Sequence, residues 1–578
     1  VSSARSRPPG PVRLLGSLGW GAAVLLPAAF LVVFFGLPLI AMLRLGLLGD
    51  AGGLDVGGVV EALARPRIAE VVWFTLWSAT LGTVGSLLLG VPLAHLLFRR
   101  RFPGRTLLRG IVVAPFVLPT VVVGIAFRRL FTGPLDWTGL DGSAVGIVLA
   151  LVFFNVAVVV RTVGSFWEGL DPRPAQAAAS LGASPWRVAR TVTLPALMPV
   201  LISAASVVFL FCATAFGVVL TLGGLQYANV ETQIYLLTTQ FLDLQGAAAL
   251  SLLQVAVVAL LLGLTRVGRR RTETGLARGA GGPAPRLGRT DAPVLALAAV
   301  VLVLVLAPVA ALMLGSVRSG GEWTLAGWER LLGLGAAADA ASGTVVPGSG
   351  GSAYEAVGLS LRVAVDATLL ALTLGVLVSW LVARGPGAAG PGAAGSATSG
   401  GVRRRVVKAL DGLVMLPLGV SAVTIGFGFL VTMGRPPLDL RDSLVLVPIA
   451  QALVALPLVV RTLVPVLRSV ETRQREAAAS LGAPPWRVAM TVDLPLAWRG
   501  LLASAGFAFA VSLGEFGATA FLAGSDRPTL PVLVYRLLGR PGEDNLTTAL
   551  AGSVLLAVLC AGTMLLVERW QVRSVGAL

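Results

Sequence analysis

Few side chains in this sequence could carry chemistry, and their scarcity is informative. There is one lysine, Lys408, one histidine, His95, and two cysteines, Cys212 and Cys560. A phosphate-binding loop needs a lysine directly after a glycine-rich turn. Lys408 sits in RRRVVKAL with no such turn before it, so the chain cannot hydrolyse ATP by that route. His95 has no second histidine or carboxylate at ligand spacing; it reads as a packing residue, and no metal site is expected. Both cysteines lie inside apolar runs, which argues against a disulfide framework. The charge that stands out is Glu515, in SLGEFGATAFLAG. An ionisable group in such a run costs ~3 kcal/mol or more unless it faces water or a partner. Either Glu515 faces a solute pathway and favours a cation, or it pairs with an arginine such as Arg461 or Arg362. Arg362 and Asp366, four residues apart, are expected to pair with each other.

The elements that must position these groups follow from composition. The 578 residues carry 45 Lys and Arg against 28 Asp and Glu, a net +17, yet only 13% are charged, 56% are hydrophobic and mean hydropathy is +0.87. Soluble domains carry about a quarter charged residues, so one large soluble enzyme is excluded. Twelve apolar stretches are long enough to cross ~30 Å of hydrocarbon as helix. They are 18–43, 71–98, 110–127, 143–163, 197–222, 246–265, 293–315, 357–383, 410–433, 443–463, 499–523 and 546–567. The first is too long for a signal peptide and is read as a retained helix. The short alternating segments of a β-barrel are absent. The fold class is therefore all-α, a polytopic membrane protein of about 12 helices.

Arginine placement orients the chain. With the loops before odd-numbered helices inside, the six outer loops hold 12 Arg and 17 acidic residues, and the remainder carries +22. Basic residues mark the cytoplasmic side, so both termini are expected inside a bacterial plasma membrane. The charge belongs to topology, not to nucleic-acid binding.

An internal repeat organises the rest. Residues 176–195, QAAASLGASPWRVARTVTLP, match 476–495, EAAASLGAPPWRVAMTVDLP, at 16 of 20 positions. Val160-Arg161-Thr162 answers Val460-Arg461-Thr462, Phe216-Gly217 answers Phe516-Gly517, and Ala215 stands opposite Glu515. FTLWSATL (74–81) loosely matches LSLRVAVD (359–366). The expected division is a first half over 1–265, a cytoplasmic linker over 266–292 and a second half over 293–578, with flexible Gly-rich insertions at 341–352 and 385–401. Six helices per repeat is an even number, so the halves are parallel. Each repeated segment falls between helices four and five of its half, on the cytoplasmic side. It reads as a short Ala-rich helix ended by Gly182 or Gly482 in a left-handed turn, followed by a second amphipathic stretch. Two such faces about a pseudo-two-fold axis suit a two-fold symmetric partner.

Both copies resemble the EAA loop of binding-protein-dependent ABC transporter permeases of the type I importer fold. The residues that carry the resemblance are Glu476-Ala477-Ala478, Gly482, Val492 and Leu494-Pro495, with Gln176-Ala177-Ala178, Gly182, Val192 and Leu194-Pro195 in the first half. Gln176 departs from the usual Glu. The resemblance implies that both loops seat in a separate ABC ATPase, present as two copies, which uses ATP and Mg while this chain binds no cofactor. It also implies an extracytoplasmic solute-binding protein that delivers a small solute.

RRRFPGR (99–105), LTLGG (220–224), VETQIYLL (230–237), SLGEFGATAFL (512–522) and TLPVLVYRLLG (529–539) are similar to the thiamine and ferric iron permease group. Phe216, Phe516, Glu515, Tyr235 and Tyr535 are the candidate pathway residues. Polyamine or oxyanion transport, and a major-facilitator secondary transporter, remain alternatives.

Overall fold

The computed structural model describes residues 11–48, 56–224, 226–270, 285–288, 291–334, 353–384, 397–434, 439–440, 443–524 and 527–575. Among these, ten helices are long and apolar enough to cross a membrane, and two bent helix pairs raise the number to 12 if each is one span. The only strands among the described residues are a two-residue hairpin, Arg318–Ser319 with Glu322–Trp323. Large apolar side chains such as Leu88, Val303 and Leu25 stand well exposed on the helix faces. Side chains of that kind on the outside of a bundle need lipid as their solvent.

The two halves repeat one plan. The Pro66–Arg99 helix packs along Ala144–Glu168, as Ala353–Arg384 packs along Leu446–Ser469. Glycine sets both approaches. A Cβ on Gly90 would come within 2.7 Å of Val159, and one on Gly375 within 2.5 Å of Val459. Small residues at such crossings let helix backbones pack closely where lipid gives no hydrophobic drive for association.

The first helix of each half lies against the other half. Gly21–Leu47, which contains a π-turn at Val32–Gly36, buries Leu31 and Phe35 among Leu374, Val378 and Phe429. Phe34 stands 6.3 Å from Phe429. Reciprocally, Ala292–Ser316 packs Val301 and Val305 into the first-half cluster and lies along Thr120–Phe131. Chain halves and spatial halves therefore differ by an exchanged helix.

Several expected spans need correction. Segments 110–127 and 410–433 are not straight helices but bent pairs. Arg105–Val117 meets Thr120–Phe131 at 106°, and Gly401–Gly419 meets Ala422–Thr432 at 99°. Leu118 precedes Pro119, whose ring forces the residue before it into an extended conformation; its ψ is 136°. In the second half Val420 is extended and the Ser421 hydroxyl starts a new helix by accepting from the Thr424 amide at 3.0 Å. Spans 197–222 and 499–523 also break, at Ala213 and Leu513. Of the insertion expected at 385–401, residues 397–401 belong to the Ala397–Met415 helix, because a formed helix extends cheaply through small residues. Residues 385–396, 341–352 and 271–284 lie outside the described residues. Within the linker expected over 266–292, residues 266–270 continue the Leu244–Arg270 helix. Arg362 and Asp366 are both exposed and form no ion pair with each other.

Candidate functional site: a cavity between the halves

The four breaks meet around one cavity between the halves. In the first half the chain leaves its helix at Ala213 and restarts at Phe216. Asn229 holds the interruption open: its Nδ2 donates to the Ala215 carbonyl at 3.0 Å, and its Oδ1 caps the next helix at the Thr232 amide, 2.9 Å. In the second half the break runs from Gly514 to Ala518, and Glu515 does the capping. Its carboxylate accepts from the amides of Ala518 at 2.8 Å and Thr519 at 3.1 Å. Side-chain bonds of this kind replace helix ladder bonds where the backbone turns away. Glu515 is thus not on a helix, and its partners are backbone amides rather than Arg461 or Arg362.

These turns bring Phe216 and Phe516 face to face, with centroids 5.3 Å apart and planes 20° from parallel. Tyr235 meets Phe216 edge-on at 5.4 Å, and Tyr535 lies 5.5 Å from Phe516. Four of the five candidate pathway residues therefore form one aromatic plug.

Beside the plug is a cavity of about 380 Å³, lined by matched segments of both halves: Pro119 and Thr120 with Ser421 and Ala422, and Ala215 and Phe216 with Glu515 and Phe516. Phe211 and Phe507 also line it, and both lie on the helices that lead back to the repeated segments. Phe216 and Phe516 line it and Tyr235 and Tyr535 do not, so the phenylalanine pair stands between the tyrosines and the cavity. The volume falls within the ~300–1,000 Å³ of small-molecule sites.

Glu515 is one of two carboxylates in the lining. The other is Glu231, fully buried, whose Oε2 accepts from Ser421 Oγ of the second half at 2.7 Å and whose Oε1 accepts from Gln254 Nε2. Sequence reasoning missed Glu231 because it counted as an outer-loop charge. The available signal was a lone acid between Leu220 and Leu242 in an otherwise uncharged run.

The repeated segments lie apart from this cavity lining. Arg173–Ser180 and Thr472–Ser480 are short helices with no buried residue. Gln176 and Glu476 are exposed, as are Ala177, Ala477, Pro195 and Pro495, while Ala178 and Ala478 are half-buried. Gly182 and Gly482 take φ of +83° and +84°, a region open to glycine at little cost. The turns are closed by Ala183 N to Ala178 O at 3.1 Å and Ala483 N to Ala478 O at 3.2 Å. At their tips Leu181 and Leu481 are 90% and 89% exposed. Both loops thus hold a leucine out at matched positions.

His95 does not line the cavity; its ring is 5.1 Å from that of Trp167 beside the first repeated segment.

Residues 86–314 and 392–574 each match the binding-protein-dependent transport system inner membrane component family. The thiamine transport system permease protein ThiP of Escherichia coli is 28% identical over 532 residues, 88% of this chain and 90% of that protein. ThiP of Brucella suis is 28% identical over 547 residues, 92% of each. The molybdenum transport system permease protein ModB of Haemophilus influenzae is 34% identical over 231 residues, 37% of this chain and 92% of that protein. With the family matched twice along one polypeptide and the helices arranged as two like halves, the chain belongs to the inner-membrane components of binding-protein-dependent transport systems, in the fused two-half form.

Proposed function

We propose that this chain is the permease of an ATP-driven thiamine importer. The observation that carries the reading is the cavity between the halves, where Glu515 and Glu231 stand among aromatic rings. A cationic, aromatic solute fits both features, since carboxylates attract its charge and ring faces attract cations as well. The likeness to ThiP along most of the chain supports the same solute. The likeness to ModB would favour an oxyanion, but two carboxylates in the lining argue against one. A ferric ion would use the carboxylates and leave the aromatic lining without a role.

In this mechanism two ATPase copies seat on the cytoplasmic loops at 176–195 and 476–495, and hydrolyse ATP with Mg. A solute-binding protein delivers the solute from outside. ATP-driven closure of the ATPase pair rocks the halves, so the cavity faces alternately out and in across the Phe216–Phe516 plug. Both termini lie in the cytoplasm.

The deciding experiment reconstitutes the chain with its cognate ATPase and solute-binding protein in proteoliposomes. ATP-dependent uptake of labelled thiamine, competed by other cationic thiazolium compounds and not by molybdate, is expected. Uptake without ATP would overturn the mechanism, and uptake of molybdate alone would overturn the solute.

A further inference from the structure

The two repeated segments are anchored differently. In the second half Arg384 donates to the Leu467 carbonyl and also pairs with Asp493 at 2.9 Å, which Arg475 approaches to 3.8 Å. Both Arg384 and Asp493 are almost fully buried. In the first half Arg99 occupies the position of Arg384 and donates to the equivalent carbonyl, Trp167 O, at 3.4 Å. The counterpart of Asp493, however, is Thr193. Arg99 closes no ion pair with a described carboxylate.

A cavity of about 1330 Å³ opens at this place, lined by Thr193 and by Arg99, Arg100, Arg101, Arg105 and Arg190, with Glu168 as its one carboxylate. Arg100 is held by Asp291 at 2.9 Å, and Arg105 reaches Glu168 at 3.6 Å. Arg101 and Arg190 form no ion pair with a described residue. The lining also has apolar side chains, Val91, Leu194, Leu197 and Val294, carried by membrane-crossing helices. Positive charge beside apolar side chains of membrane-crossing helices matches a molecule with an anionic head and a hydrocarbon tail.

We propose that this cavity binds an anionic phospholipid, whose phosphate meets Arg99 and its neighbours where Asp493 meets Arg384 in the other half. Guanidinium groups suit phosphate because their planar forks bind two oxygens at once. Basic pockets between membrane helices select anionic headgroups for the same reason. The lipid completes the anchor of the first repeated segment, which the second obtains from its own aspartate.

The test uses the full chain purified in detergent, with phosphatidylglycerol or phosphatidylcholine added and bound lipid counted by native mass spectrometry. Wild type should retain phosphatidylglycerol in preference to phosphatidylcholine. Arg99→Gln should lower that retention about fivefold, the value of one arginine near an anionic lipid. Thr193→Asp, which installs the second half's counter-charge, should lower it at least as much. Arg161→Gln, outside the cavity, is the control and should leave it unchanged. A monodisperse elution profile confirms that each variant is folded. Equal retention of both lipids, or unchanged retention in Arg99→Gln and Thr193→Asp, overturns the proposal. Displacement of the lipid by inorganic phosphate would show a site for a soluble anion and overturn it too. Loss of ATPase co-purification in Arg99→Gln with lipid retention intact would assign the arginines to the partner and equally reject the lipid.

Discussion

Phe216 and Phe516 come from opposite halves, 300 residues apart, and stack with their centroids 5.3 Å from each other. Each is braced by a tyrosine from its own half, and Tyr235 also meets Phe521 of the second half at 5.4 Å. The plug is therefore shared between the halves. An aromatic pair contributes about 0.5–1.5 kcal/mol beyond area burial. Phe216→Ala or Phe516→Ala should shift the closed-to-open ratio about 2- to 10-fold. Efflux of preloaded thiamine from ATP-free proteoliposomes should rise accordingly. Wild-type efflux rates in both variants would remove the plug from the pathway.

Charge in the cavity can be tested without dismantling it. Glu515→Gln keeps one oxygen to accept from the Ala518 amide while the negative charge is lost. Loss of a charge-assisted contact to a cationic solute costs about 1.5–3 kcal/mol, so uptake should fall roughly tenfold or more at low substrate while the elution profile is unchanged. Glu231→Gln should lower uptake as well, and should also reduce thermal stability, because Ser421 Oγ and Gln254 Nε2 both donate to that carboxylate. Undiminished uptake in Glu515→Gln would mean that the cavity does not read solute charge.

Gly482→Val places a β-branched residue at φ +84°, where a side chain costs about 1 kcal/mol or more. The turn after Ser480 should open and displace Leu481 from its exposed position. Co-purification of the ATPase and ATP-driven uptake should both drop severely, with the membrane helices still folded. Retention of both activities would refute docking at this loop.

Asp291 ties the start of the Ala292–Ser316 helix to the end of Pro66–Arg99 through Arg100 at 2.9 Å. Burial opposes its ionisation, but the Gly288 amide and the Arg100 guanidinium outweigh that and hold its carboxyl below the ordinary aspartate range. A carboxyl whose pKa is lowered by folding stabilises fully above its unfolded pKa, and the contribution is lost as pH falls through the folded one. The melting midpoint in detergent should therefore decline on acidification from about pH 4 downward. Asp291→Asn should lower the midpoint at neutral pH, a loss of ~2 kcal/mol, and flatten the acid decline. An unaltered pH profile in the variant would show that this pair is not its source.

Much of this protein is legible in one dimension. The span count, the 300-residue repeat and the left-handed glycines of the repeated segments depend on hydropathy, identity and local backbone preference, all of which act over short stretches of chain. Glu515 was visible for the same reason, since a charge in an apolar run is costly wherever the run folds. What surrounds it was not visible. Whether Glu515 meets arginine or amides depends on where the helix breaks. That break depends on bonds to residues several positions on and on close packing against the bent pairs. Glu231 looked like an outer-loop charge until Ser421, 190 residues away in sequence, was brought against it. The exchange of first helices between halves, and Thr193 standing where Asp493 stands in the other half's anchor, likewise arise only when distant segments share a boundary. Local patterns determined which elements exist, and long-range packing decided which of their polar groups face one another.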